Sequence, residues 1–311
     1  MTGAHSHQPV LLDEVIEALA IRPQGYYIDA TFGRGGHSAA ILAQLNEQGR
    51  VLAFDRDPEA IAWGRERFAV EPRIEFEHSN FNRVAEVLAQ RQLASGVDGV
   101  LMDLGVSSPQ LDNASRGFSF MQNGPLDMRM DTSRGESASE WLMRVELEEL
   151  VTVLKRYGEE KFARRIAHGI IEARRQQPIT ETAQLVSIIE QAMPVKDKHK
   201  HPATRSFQAI RMHINQELPS IESGLEAMLA ALRPGGRLVV ISFHSVEDRL
   251  VKRFMKAKVT RPPLPKNLPV FDSDAAPPYR LVGKSRTASA QEREANPRAR
   301  SARLRVLERV R

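Results

Sequence analysis

Asp29-Ala-Thr-Phe-Gly-Arg-Gly-Gly-His37, with Asp55 closing the next apolar run, decides how this chain is read. Tyr26, Tyr27 and Ile28 form a short apolar strand, Gly33-Arg34-Gly35-Gly36 a turn whose backbone can approach a ligand, and Ser38 to Leu45 the following helix. The second run, Val51 to Phe54, ends on Asp55, twenty positions past Gly35, the spacing at which a strand-end carboxylate meets the hydroxyls of a ribose. Together these residues describe a pocket for a nucleoside-bearing cofactor. A dinucleotide fingerprint needs a third glycine where this chain has Ser38, and the Gly-Lys-Ser/Thr phosphate cradle is missing, which favours S-adenosylmethionine over a dinucleotide.

Working outward, helix-like and apolar stretches alternate. Pro58 to Phe68 reads as a helix, Arg73 to Glu77 as a strand, Phe81 to Leu93 as a helix, and Val97 to Met102 as a strand ending at Asp103. This rhythm predicts an α/β fold, a parallel sheet with helices on both faces and ligands at the carboxyl ends of its strands. From Pro109 to Glu136 the rhythm breaks into a loop rich in Gly, Asp, Ser, Arg and Met, longer than compact domains carry without a purpose. Leu147, Leu150, Val151 and Leu154, then Phe162, Ile166 and Ile170, then Leu185, Ile188 and Ile189 recur at helix spacing. The expected organisation is a sheet-bearing, cofactor-binding domain over 1–110 and 214–311, a connecting loop over 111–136 that carries part of the site, and an all-α insertion over 137–213. After it, Glu217 to Leu232 reads as a helix closed by a turn at Arg233-Pro-Gly-Gly236, Leu238 to Phe243 as a strand, and Val246 to Ala257 as a basic helix. Pro262 to Pro278 is a proline-rich loop, and Arg303 to Arg309 a final edge strand.

The chain has 311 residues, 44 basic and 39 acidic, a net charge of +5 that fits a nucleic-acid partner without establishing one. It has no cysteine, hence no disulfide framework, no thiolate metal site and no cysteine nucleophile. Methylation at ring carbon five of a pyrimidine commonly runs through a thiolate adduct, so the acceptor here is expected to be nitrogen or oxygen. With no membrane-length apolar run and no signal-peptide centre, the expected location is the cytoplasm. His5 and His7 lack partnering carboxylates at metal spacing, and no obligatory metal is expected.

Chemistry concentrates at Asp103-Leu-Gly-Val-Ser-Ser-Pro-Gln110. Methyl transfer from a sulfonium is an in-line displacement, and an exocyclic amine is a poor nucleophile because its lone pair is delocalised into the ring. Acceptors aimed at its N–H bonds free that lone pair, and Asp103, the Ser107 and Ser108 hydroxyls, and the carbonyls before Pro109 are candidates. A strand-end Asp capping a turn and a Ser-Ser-Pro stop is the plain structural alternative.

Asp29 to Ser38, Asp55-Arg-Asp-Pro58, Asp103 to Asp112, Arg116-Gly-Phe-Ser-Phe120, Gly124 to Asp131, His201-Pro-Ala-Thr-Arg205, Ser242-Phe-His-Ser245 and Asn296-Pro-Arg-Ala-Arg300 closely resemble the bacterial 16S ribosomal RNA cytosine-N4 methyltransferase H family, over nearly the whole chain. The resemblance implies a Rossmann-like class I methyltransferase domain interrupted by a helical domain, using S-adenosylmethionine to methylate the exocyclic N4 amine of one cytidine in the decoding region of the small-subunit RNA. It places cofactor contacts on Gly35, Gly36, His37, Asp55, Phe81, Asp103 and Gln110, with Gly33 in the same turn. The strand-four segment differs from the Asp/Ser/Asn-Pro-Pro-Tyr motif of DNA amino-methyltransferases by lacking the aromatic, so Phe118, Phe120 or Phe243 is expected to stack on the cytosine. His244 reads as a structural histidine, because water can take the proton of the acidic methylated amine. RNA contact is expected from Lys196, Lys198, Lys200, Arg205 and Arg211, and from Arg298, Arg300 and the rest of 296–311, which carries six arginines against one glutamate. Two other readings share these features: a DNA or small-molecule amino-methyltransferase, and a non-catalytic RNA-binding or ribosome-assembly protein.

Overall fold

Strand β4 (Val97–Asp103) is buried along all but its last residue, and the sheet is built around it. The computed structural model describes residues 9–93, 96–195, 201–261 and 276–311. The chain forms two units, 1–105 with 220–311, and 106–219.

In the first unit, α1 (Leu12–Leu19) precedes β1 (Tyr26–Asp29), α2 (Gly36–Gln44), β2 (Arg50–Asp55), α3 (Pro58–Arg67), β3 (Ile74–His78), α4 (Val84–Gln90) and β4. The second unit holds α5 (Ser108–Asp112), α6 (Ala138–Arg144), α7 (Leu147–Gly158), α8 (Ala163–Gln176), α9 (Thr182–Ala192) and α10 (Thr204–Ile214). The chain returns through α11 (Glu217–Ala231) into β5 (Leu232–Ser242), α12 (Ser245–Val259), β6 (Tyr279–Leu281), β7 (Arg286–Thr287), α13 (Ala290–Ala295) and β8 (Arg303–Arg309).

The strands order as β3-β2-β1-β4-β5-β8-β6, with β7 also on β8. The first five are parallel and β8 runs antiparallel to β5, β6 and β7. The chain moves outward from β1 through β2 to β3, then returns to place β4 on the other flank of β1. That reversal opens a crevice at the carboxyl ends of β1 and β4, where open α/β sheets bind ligands. The α/β class and the parallel sheet expected from the rhythm are present.

Two local expectations are corrected. Arg303–Arg309 is not an edge strand, because β8 lies between β5 and β6 and buries Leu304, Val306 and Leu307. Arg233-Pro-Gly-Gly236 does not form a free turn after α11. Strand pairing begins at Leu232 opposite Val97 and resumes at Arg237 opposite Gly99, so the four residues bulge within β5. Most of the proline-rich stretch, residues 262–275, lies outside the described residues.

The helical unit has its own core, in which Leu150, Leu154, Ile166, Ile170, Leu185 and Ile189 from the stripes read in the sequence are joined by Trp141. Leu126 and Met128 of the long loop are buried in the same core. The buried Arg116 secures that loop by donating to the carbonyls of Arg129 (3.1 Å) and Met130 (2.9 Å), while Asn215 accepts from Met130 N–H and donates to Met128 O, both at 2.7 Å. The loop is therefore a packed part of the helical unit.

Candidate active site

Three strands deliver a carboxylate to the crevice: Asp29 from β1, Asp55 from β2 and Asp103 from β4. The loop after β1 is tied to both neighbours, since Ala30 N–H donates to Leu101 O (2.9 Å) and Phe32 N–H to Phe54 O (2.8 Å). Thr31 Oγ1 accepts from Asp103 N–H at 2.7 Å, which locks the tip of β1 to the tip of β4.

Asp29 is buried, and its carboxylate accepts from Ser38 Oγ (2.6 Å) and Thr31 N–H (3.1 Å). Burial nevertheless pushes its pKa up to about 6. Asp55 accepts from Gly33 N–H (2.7 Å) and Asp57 N–H (2.8 Å), so it shapes the glycine turn as well as facing the crevice. Burial is also the main cause of its rise to about 6. Asp103 titrates well above the usual carboxylate range, first because its half-buried carboxylate is desolvated and then because Asp29 and Glu247 lie near it. Its Oδ1 is enclosed and has no hydrogen-bond partner among the described residues.

His37 does not compensate this charge. Its Nε2 donates to Val10 O at 3.0 Å, leaving Nδ1 3.6 Å from Asp103 Oδ2, and burial lowers its pKa to about 4. The ring is neutral at neutral pH, so the contact is not an ion pair. Among the described residues no arginine or lysine pairs with Asp29, Asp55 or Asp103.

The turn glycines have a packing reason of their own. Gly35 has φ +68°, and a Cβ there would lie 2.5 Å from Phe32 Cε2, while a Cβ on Gly36 would strike Pro9 Cγ. Close packing against protein accounts for both, leaving the first N–H groups of α2 as the donors at this end of the sheet. Phe81 opens a short turn after β3 and packs on α11, where a Cβ on Gly224 would be 2.6 Å from its ring.

Past β5, Phe243 packs partly against the sheet's core and its N–H donates to Glu247 Oε2 at 3.0 Å. His244 caps α12, with Nδ1 accepting from Glu247 N–H at 3.4 Å and Nε2 3.0 Å from Glu247 Oε1. The ring caps the helix start through Nδ1, while its buried Nε2 makes no hydrogen bond among the described residues.

Within the helical unit, Ser107 and Gln110 form a capping box at the start of α5, and Gln110 Oε1 accepts from Ser107 N–H at 3.0 Å. Ser108 and Pro109 are half-buried beside them. Phe118 is buried under the Arg116 guanidinium, and Phe120 stacks on His201 with ring centroids 4.6 Å apart. Arg205 is half-buried in the first turn of α10. Arg298 is half-buried and Arg300 exposed, whereas Arg305 of the same cluster is spent on Asp248 at 2.7 Å. Lys196, Lys198 and Lys200 lie outside the described residues, as do His5 and His7. Sequence reasoning assigned no role to Asp29, Thr31 and Glu247. Asp29 and Thr31 were signalled by their place at a strand tip, but nothing distinguishes the buried Glu247 from an ordinary acidic residue in a first helical turn.

A family model described as the MraW methylase family matches residues 4–310. The chain belongs to the MraW methylase family. It is 56% identical to the ribosomal RNA small subunit methyltransferase H of Alteromonas mediterranea, over 98% of this chain and 97% of that protein. Proteins of the same name from Idiomarina loihiensis and Thioalkalivibrio sulfidiphilus are 55% and 54% identical, over 100% and 99% of this chain and 99% and 98% of their own lengths. Among solved structures, an rRNA methylase from Streptococcus thermophilus matches with 12% identity and a TM-score of 0.42, over 96% of this chain and 94% of that one.

S-adenosylmethionine is the cofactor expected of this MraW-family methylase. The residues fit it. The unpartnered Asp103 Oδ1 and a cluster of carboxylates suit a cationic ligand, Asp55 retains lone pairs for ribose hydroxyls, and the α2 N-terminus offers donors to the methionine carboxylate.

Proposed function

We propose that this chain methylates the exocyclic N4 amine of a cytidine in 16S rRNA of the small ribosomal subunit. The observation that carries the chemistry is the enclosed, unpartnered Asp103 Oδ1 at the switch point of the sheet. The relatives carry the substrate class, since each is named for small-subunit ribosomal RNA. When bound, S-adenosylmethionine supplies an electrophilic methyl on a sulfonium.

Asp103 accepts a hydrogen bond from the target amine, drawing its lone pair out of conjugation, while its negative charge favours the cationic donor. Ser107, Ser108 and the carbonyls before Pro109, a few residues further along the chain, are the other proposed acceptors. Phe118, Phe120 and Phe243 remain the proposed aromatic partners of the cytosine, and the two folding units are proposed as a methyltransferase domain and a helical domain that grips RNA or ribosomal protein. The methylated amine is strongly acidic and loses its proton to water.

Transfer of labelled methyl to purified small subunits lacking the modification, compared with duplex DNA, tests this reading. Incorporation into the small-subunit RNA is expected. Preference for DNA would support the amino-methyltransferase alternative, and RNA binding without any methylated product the non-catalytic one.

A further inference from the structure

Several arginines and lysines of the sheet-bearing unit are matched to acids. Arg237 and Arg280 share Glu308 at 3.0 and 2.7 Å, Arg305 holds Asp248 at 2.7 Å, and Lys258 meets Glu226 at 2.7 Å. The outer face of α12 breaks that pattern. Its two acids are withdrawn, Glu247 into the interior and Asp248 onto Arg303 and Arg305, and no acid follows before the helix ends. Val246, Val251 and Met255 form the buried stripe. Lys252, Arg253 and Lys256 are exposed on the opposite face, and none of these side chains meets an acceptor among the described residues. Lys256 in the last turn has a reason in the helix dipole, but Lys252 and Arg253 lie too far from the end to gain from it.

Placement gives this stripe a direction. Asp103 pairs with Ile241 in β5, and α12 begins at Ser245, only four residues past that pair. At ~1.5 Å per residue, Lys252 lies about 10 Å along the helix from its start and Lys256 about 6 Å further. A row of unmatched cations leading away from the carboxyl end of the sheet suits a polyanion whose reacting base lies at that end.

We propose that Lys252, Arg253 and Lys256 form a phosphate track for the RNA strand flanking the target base. The proposal rests on the RNA reading above. The three side chains neutralise phosphates without reading sequence, so the track adds affinity and salt dependence and leaves the chemical step alone.

The test uses the full chain with Lys252→Gln, Arg253→Gln and Lys256→Gln combined. Equilibrium binding to 16S rRNA is measured across a salt series, alongside KM for unmodified small subunits, kcat and binding of S-adenosylmethionine. Three lost phosphate contacts at ~0.7 each for a single strand should reduce the slope of log K against log salt by about 2. KM should rise at least tenfold, with kcat and cofactor binding unchanged. Arg65→Gln, Arg67→Gln and Lys284→Gln, exposed cations elsewhere in the same unit, remove equal charge and should leave the slope in place, as should Lys252→Arg with Lys256→Arg. A wild-type slope in the α12 triple variant, or an equal loss in the control triple, overturns the proposal. Failure of the wild-type chain to methylate small subunits would instead refute the proposed function, while the binding slopes still decide the track.

Discussion

Lowering the pH should weaken binding of S-adenosylmethionine far more than binding of its demethylated product, S-adenosylhomocysteine. In the cofactor-free protein burial pushes Asp29 and Asp55 up to about 6, and Asp103 stands well above the usual carboxylate range. A rise from 3.8 to about 6 is roughly 2 units, or ~3 kcal/mol per group at ~1.4 kcal/mol per unit, held as the cost of keeping charge in the crevice. A sulfonium offsets that cost; the neutral thioether of the product does not. For the sign, these folded pKa values are raised, so the carboxylates stabilise the free protein when protonated and lose that contribution as pH rises through about 6. Cation binding requires the ionised form, so affinity falls as the pH drops through about 6, where Asp29 and Asp55 titrate. For one coupled carboxylate, the change from pH 7 to pH 5 weakens binding about tenfold, and for two about a hundredfold. Calorimetric titration between pH 5 and 8, in two buffers of different ionisation enthalpy, measures both the dissociation constant and the protons released. A constant affinity for the sulfonium, or equal pH slopes for both ligands, would refute the reasoning.

Asp103→Asn keeps an acceptor oxygen but removes the charge, and should lower kcat by about 10²-fold or more in single-turnover methyl transfer while RNA binding persists. Gly35→Ala puts a side chain at φ +68° and against Phe32, and should destabilise the fold by about 1 to 3 kcal/mol in urea denaturation. Trp141→Ala empties the largest buried position of the helical core and should cost about 3 to 5 kcal/mol in the same assay. A variant of either kind that matches wild-type stability would show that its packing has been misjudged.

The strand-tip acids were legible because parallel β/α alternation fixes where a strand ends, and Asp55 and Asp103 each close an apolar run. Their environment was not. The rise in the Asp103 pKa comes from desolvation and then from Asp29 and Glu247, and Glu247 enters from a helix far along the chain. Likewise, the turn glycines announced themselves, but the neighbours that require them at Gly35 and Gly36, Phe32 and Pro9, appear only in the folded packing. Alternation identified Arg303–Arg309 as a strand but could not tell an edge from an interior position, since that depends on β6 covering its far side. Helical stripes in the second unit were clear from spacing, whereas the burial of Leu126 and Met128 in its core came from an irregular loop with no periodicity.

The most direct test of the account incubates unmodified small subunits with this protein and S-adenosylmethionine carrying a 13C-methyl group, then resolves the ribonucleosides of the 16S rRNA by mass spectrometry. The account predicts label in N4-methylated cytidine at a single position, lost with Asp103→Asn. Label in another nucleoside, or undiminished labelling by the Asp103→Asn variant, would contradict it.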